Sequence, residues 1–463
     1  MTDQVQSASN GKGFSRAFWV ANSVELLERA AYYGVFVVIT LYLSRIIGFN
    51  DVEAAVIAGS FSGGLYLLPV FTGAYADKIG FKAALIVAFA LLTIGYASLA
   101  IFPAILEAKG FVEYAREVTY KGLRDMNVRY YIIPIMVVIM IGGSFIKSVI
   151  TGTVAKETTE SNRARGFSIF YMMVNIGAFS GKTIVKPLRE SLGNLGLVNL
   201  NYYAAGMTLL ALILIIFMYK STKHEGEGKS LREIWKALVK VVSNLRLLGL
   251  ILIVTGFWMV QHQLYATMPK YVLRLAGESA SPSWYANVNP LVVVIFVTLI
   301  TRLMSKRTPL FSMTVGMFIM PLSALLMGAG HWFEGNVLGM HPVAFMMIVG
   351  IVFQALAECF ISPRFLEFFS LQSPKGEEGL YLGFSHLHSF FSSVLGFGLS
   401  GFLLSKYCPD PTLPEFVNNP GSWEIASSNA HYIWYYFTAI ALVSALMLIV
   451  YGKVTRKRDL AKA

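Results

Sequence analysis

Charge is scarce in this chain. Only 14% of its 463 residues are Asp, Glu, Lys or Arg, against 56% hydrophobic residues, and the mean hydropathy is +0.60. That balance excludes an ordinary soluble domain. Cysteine is almost absent: Cys359 falls within an apolar stretch and Cys408 in a loop, a placement that argues against a disulfide. The chain has no metal-ligand spacing, no phosphate-cradling glycine loop before a basic residue, no ATPase domain and no nucleophile–base pair. His386 and His388 are two apart, so on a helix they diverge. The chain is therefore expected to be neither an enzyme nor a holder of a cofactor or metal. No cleavable signal peptide is expected, because the first residues are polar and the first apolar stretch carries a charge cluster and has no small-residue cleavage site.

What is abundant is apolar sequence in bilayer-length runs. A crossing helix needs about 20 apolar residues, and twelve such stretches centre near 32, 64, 93, 142, 175, 210, 260, 294, 319, 355, 392 and 441. Orientation follows Lys and Arg placement. With the N-terminus inside, the inner segments hold Lys78, Lys82, Lys156, Arg163, Arg165, residues 220–246, 302–307 and the tail from Lys453 to Arg458. The basic loop 107–129 on the other side weakens the asymmetry. Both termini are expected on the cytoplasmic face of a cell membrane. The net charge of +12 then reflects topology and anionic lipid rather than nucleic acid. The longest inner break, 220–246, separates residues 1–219 from 247–463, six spans from six. From Leu231 to Val242 apolar and basic positions alternate at helical period, which predicts a surface-lying amphipathic helix. Two six-helix halves around a midplane cavity suit a secondary transporter, although periodicity alone also allows a channel or a membrane enzyme.

Span one breaks the apolar pattern. Glu25, Glu28 and Arg29 lie inside the stretch 17–47, and positions 25, 28, 29, 32, 33 and 36 share one helical stripe. Each charge at bilayer depth costs at least about 2.5 kcal/mol. Three on one face imply a polar interior shared with other helices. The bland alternative is a buried salt-bridge cluster that only fixes packing.

Several motifs now carry a resemblance. The run from Gly73 through Asp77, Lys78 and Gly80 to Lys82, between spans two and three, resembles the loop signature of the major facilitator superfamily at its inner gate. The run from Phe167 to Phe179, with Tyr171, Asn175 and Gly177, looks like a signature of proton-coupled oligopeptide transporters, matched at every defining position. The span-one cluster is similar to that family's Glu-x-x-Glu-Arg-Phe-x-Tyr-Tyr element, with Ala30 where Phe is usual. Tyr66 and Pro69, Lys147 in span four, Asn289-Pro290 in span eight, and Glu358 with Ser362-Pro363 in span ten extend the match over about 14–405. The implied fold is an all-α membrane protein with twelve transmembrane helices in two pseudo-symmetric six-helix bundles.

The resemblance also implies roles. Proton coupling falls to Glu25, Glu28, Arg29 and Lys147, which titrate as a coupled set. Substrate contacts fall to Tyr32, Tyr33, Tyr66, Lys147, Asn175, Asn289, Glu358 and Ser362, with Glu358 receiving an ammonium group. Gly73, Asp77, Gly80 and Lys82 form the gate motif. Departures bear on cargo. Phe36 follows Tyr33-Gly34 where peptide-transporting members carry an Arg, His262 stands where span seven usually has an acid, and Ser385 replaces a common Trp. His262 titrates near neutrality and is a further coupling candidate. Arg364 is an extra cation, either a replacement carboxylate partner or a snorkelling or inner-gate residue.

The expected activity is proton-driven import of di- or tripeptides, or of peptide-like small molecules, by alternating access. It needs protons and the lipid bilayer, runs on the proton gradient without a cofactor, and works as a monomer. The alternatives are the same machinery with a small anion or modified amino compound as cargo, or a transporter-like sensor.

Overall fold

The computed structural model describes residues 13–115, 123–159, 162–220, 231–372 and 384–460. Ten stretches are long and apolar enough to cross a bilayer unaided. One of them, 165–218, folds as two helices, Arg163–Leu192 and Gly196–Met218, reversed at the short turn Gly193–Leu195. The chain opens on a further, bent span: Arg16–Phe36 continues as Ile39–Arg45 after a 46° bend. Twelve spans thus result among the described residues, as the apolar pattern predicts. Span two is Asp51–Leu67 running on as Pro69–Ile79, span three Phe81–Ala108 and span four Ile132–Lys156. Spans five and six are the pair just named. Spans seven to ten are Leu245–Gln261, Val288–Met304, Pro309–Gly328 and Pro342–Gln372. Spans eleven and twelve are Leu387–Tyr407 and Tyr432–Leu460. Both cysteines are free thiols.

Local chemistry sets the ends. Ser15 caps span one by accepting from the Phe18 amide at 3.1 Å. Asn50 and Glu53 form a reciprocal capping box at the start of span two. Gly80 turns span two into span three with φ +86°, a left-handed conformation that a side chain would strain. Prolines 103, 187, 321 and 363 sit inside spanning helices; Tyr42 and Trp284 donate to the Leu99 and Thr183 carbonyls that Pro103 and Pro187 leave free. Large apolar residues such as Ile94, Phe217 and Leu299 point out of the bundle, as lipid contact requires. The protein is a multi-pass membrane protein. The helix Leu231–Ser243 exposes Trp235 and Val239 and packs beside span seven and the segment Pro69–Ile79.

Spans one, three, four, five and six pack on one another, and spans seven to ten and twelve do likewise. Span two crosses to pack along span eleven, and the segment Pro282–Tyr285 ahead of span eight docks on span five. One end of the bundle, here the basic end, carries Lys78, Lys82, Lys156 and Lys220. At the opposite end, Asp51 of span two meets Lys270 and Arg274 beyond span seven at 2.7 and 2.8 Å, all three buried. Arg274 also lies 3.8 Å from Asp410, and Glu278 bonds both Arg45 and Arg189. Among the described residues, every ion pair that joins the two groups of spans lies at this clamp end.

Candidate functional site

Glu25 and Glu28 are both buried on span one, and Arg29 bridges them. Its Nε is 3.0 Å from Glu25 Oε1 and 2.6 Å from Glu28 Oε2. The guanidinium lies over the Tyr32 ring at 5.6 Å. Tyr32 in turn stacks on Phe36, with centroids 5.0 Å apart and planes 15° apart. The stripe read from the helical period is therefore one continuous contact series, from two carboxylates to two rings.

Span five fits against this stripe because glycines let the backbones meet. A Cβ on Gly34 would lie 3.1 Å from the Gly181 carbonyl oxygen, and one on Gly177 would lie 2.8 Å from the Arg29 Cβ. This close packing delivers the next residue, Lys182, to the site. Lys182 is 2% exposed. Its Nζ lies 5.1 Å from the Tyr33 ring and 5.6 Å from the Tyr265 ring, and it donates to the Ala286 carbonyl at 3.3 Å. No carboxylate pairs with it among the described residues. The motif reading passed over Lys182, although the rule that flags an intramembrane ionisable residue applies to it as it does to Arg29.

In the other group of spans, Glu358 of span ten is held by amides. Its Oε2 accepts from Gln261 at 2.8 Å and from Asn289 at 3.1 Å, which brings spans seven, eight and ten together. Span seven breaks at His262, the residue between Leu245–Gln261 and Gln263–Ala266. The buried imidazole has Nδ1 at 3.4 Å from Ser392 Oγ and 3.3 Å from Ser393 Oγ, and it stacks loosely beside Tyr66 at 6.3 Å. Ser393 Oγ also meets Ser62 Oγ of span two at 3.0 Å. His262 thus stands at a joint between the two groups of spans.

The remaining sequence-derived positions are placed less centrally. Asn175 spends its amide donor on the Tyr171 carbonyl of its own helix at 2.8 Å. Ser362 Oγ is buried without a partner among the described residues. Arg364 is buried and pairs with Glu367 at 2.7 Å, so its charge is used within span ten. At the basic end a Cβ on Gly73 would touch Ser148 at 3.0 Å, and Lys82 donates to the Ile216 carbonyl ending span six at 3.1 Å. The side chains of Asp77 and Lys147 lie outside the described residues. A cleft of about 550 Å³ opens at the clamp end between Asp51, Glu53, Arg129, Lys406 and Asp410; its walls belong to the clamp and not to the buried acids.

Two acid sites, the buried Glu25 and Glu28 and the half-buried Glu358, thus lie on different groups of helices. The sequence profile of the Major Facilitator Superfamily matches residues 23–340. The chain belongs to the major facilitator superfamily. Among relatives, dipeptide and tripeptide permease B of Salmonella typhimurium is 24% identical, with 88% of each chain aligned. Dipeptide and tripeptide permease B of Yersinia enterocolitica is also 24% identical, with 94% of each chain aligned. A crystal structure of a POT family transporter in complex with a thioalcohol-conjugated peptide superposes with a TM-score of 0.72 at 17% identity, covering 95% of this chain and 96% of that one. That likeness bears out the twelve-helix major facilitator fold, and the resemblance read from the motifs agrees with it. Members of this superfamily are transporters.

Proposed function

We infer that this superfamily member is a proton-coupled symporter that imports a peptide or a peptide-like small molecule by alternating access. The observation that carries this reading is the division of carboxylates between the two groups of spans. Glu25 and Glu28 lie on span one beside Arg29, and Glu358 lies on span ten in an amide cradle. Among the described residues, the ion pairs that join the two groups of spans lie at the clamp end. A carrier of this kind needs one acid set that takes up protons and another that reads cargo. In this reading the basic end faces the cytoplasm, both termini are cytoplasmic, and the clamp closes the outer side. Residues 1–219 and 247–463 move as two bundles joined by 220–246. Lys147 joins the span-one set, the tyrosines and Asn289 line the cargo site, and the protein works as a monomer in the plasma membrane, driven by the proton gradient alone. The names of the relatives support a peptide as cargo.

The runner-up keeps the machinery and exchanges the cargo for a modified amino compound. The stack of Phe36 on Tyr32, in place of a cation, favours it. Purified protein in liposomes with an alkaline interior is expected to accumulate dialanine, and a protonophore is expected to abolish the accumulation. Accumulation that ignores the protonophore would remove proton coupling. Binding without any flux would leave a sensor.

A further inference from the structure

Lys182 has no role in the function described so far. An unpaired ammonium buried at bilayer depth is costly, so a chain that keeps one needs a compensating anion in some state. Among the described residues the protein supplies only a carbonyl and two ring faces: Ala286 at 3.3 Å, Tyr33 at 5.1 Å and Tyr265 at 5.6 Å. Fastening span five to the head of span eight does not require it. That junction is already made by Asn287 donating to Thr183 Oγ1 at 3.0 Å, Trp284 donating to the Thr183 carbonyl at 3.1 Å, and Lys186 over the Trp284 ring at 4.3 Å.

The head of span eight ties Lys182 to Glu358: Lys182 donates to the Ala286 carbonyl, and three residues on Asn289 donates to Glu358 Oε2 at 3.1 Å. A cation on span five and an anion on span ten therefore flank the same short segment, and no direct pair joins them among the described residues. An object that satisfies both ends carries a carboxylate and an ammonium a few bonds apart.

We propose that Lys182 is the anion subsite of this carrier, binding the carboxylate of a small zwitterion whose ammonium end is held by Glu358. The assignment rests on the reading of Glu358 as the cargo-binding acid, and it adds the cation that Phe36 cannot provide. Tyr33 and Tyr265 hold the ammonium of Lys182 by their ring faces and leave its protons free for the ligand. The bound carboxylate then takes a charge-assisted hydrogen bond.

The test compares four probes by isothermal titration on the purified full chain: dialanine, its C-terminal amide, N-acetyl-dialanine and 5-aminopentanoate. The parent is expected to prefer dialanine over its amide by about 10- to 100-fold, the weight of one charge-assisted bond. Lys182→Gln is expected to erase that preference while leaving the affinity for the amide within about threefold of the parent. Lys182→Arg is expected to keep part of the preference. A merely structural lysine would lower the affinities for acid and amide together, and that result overturns the proposal. Binding of 5-aminopentanoate that depends on Lys182, with no binding of dialanine, would remove the peptide reading and keep the anion subsite. Transport of dialanine with an unchanged acid-to-amide ratio in Lys182→Gln would do the reverse. If no probe with a carboxylate binds better than the amide, the subsite falls.

Discussion

The clamp and the span-one cluster are both networks of acids and bases, yet they share out their donors differently. At the clamp, Asp51 and Asp410 face Lys270 and Arg274, two against two. Both Asp51 oxygens are bonded, Oδ1 by Lys270 and Arg274 and Oδ2 by Arg274. On span one, Glu25 and Glu28 both reach the same Arg29 nitrogen, so the two carboxylates divide one donor. A network in which each acid has its own base is a fastener, because adding or removing a proton leaves a buried charge unpaired. Where two acids divide one donor, a proton on either carboxylate leaves Arg29 paired with the other. Such a set suits a proton carrier, whereas the clamp suits a door.

The sharpest way to break this contrast is to remove one of the two carboxylates that share Arg29. Glu28→Gln or Glu25→Gln is expected to abolish accumulation driven by an imposed pH gradient, while counterflow exchange of substrate persists, because exchange needs no net proton movement. Lys147→Ala is expected to behave likewise. Gradient-driven accumulation at the parent level in all three variants would end the proton assignment.

The clamp is expected to answer differently. Arg274→Met leaves Asp51 with Lys270 alone and is expected to cost roughly 3–5 kcal/mol of the closed arrangement, read as a lower unfolding midpoint and faster labelling of a cysteine placed at the clamp-end cleft. A variant labelled no faster than the parent would mean that the clamp is not what closes that end. Glu278, in the loop at the same end, adds a statement about pH. Burial opposes its charged form, but the hydrogen bond and charge of Arg45, followed by Arg189, outweigh burial and hold the carboxyl below its ordinary 4.5. A depressed value means that its stabilisation is fully present above the unfolded value and is lost only as pH falls through the folded one. Labelling at the clamp end is accordingly expected to stay flat from about pH 5.5 upward. A rise within that range would transfer pH sensing from span one to the clamp.

Cargo reading is a third, smaller effect. Glu358→Gln keeps the shape of the amide cradle and removes its charge, so binding of a ligand with a free ammonium is expected to weaken by about 10-fold or more, against little change for its N-acetyl form. Equal losses for both ligands would make Glu358 structural.

The twelve spans and the span-one stripe were legible because each is periodic and local: hydropathy marks the one, and three charges at helical spacing mark the other. Glu358 and Asn289 were legible through the motif, although their shared hydrogen-bond partner, Gln261, was not. The clamp was hidden because Asp51 reads as a first-turn helix residue, and its partners lie 219 and 223 positions away. No local pattern encodes a contact at that separation. Lys182 was in plain view, one lysine inside a span, but it lies three residues past the matched run Phe167–Phe179, and the rule applied to span one was not carried that far.

His262 gives the smallest expected effect and the finest division between fastener and carrier. By sequence it stands where an acid is usual and titrates near neutrality. In the structure its neighbours are the Ser392 and Ser393 hydroxyls and the Tyr66 and Phe397 rings. It has no ion pair among the described residues. Those surroundings are those of a joint: Ser393 links the imidazole to Ser62 across spans eleven and two, and neither hydroxyl needs a charge on the ring. His262→Gln, which keeps a hydrogen-bonding side chain, is therefore expected to alter uptake by less than about threefold and to leave its pH profile in place. His262→Phe removes the bond and is expected to slow the carrier at every pH alike. A coupling role predicts another pattern: His262→Asp would shift the pH profile, and His262→Phe would stop gradient-driven accumulation while sparing exchange. Uptake measured across pH for the three variants decides between them, and a displaced profile in His262→Asp alone would move His262 into the proton-carrying set.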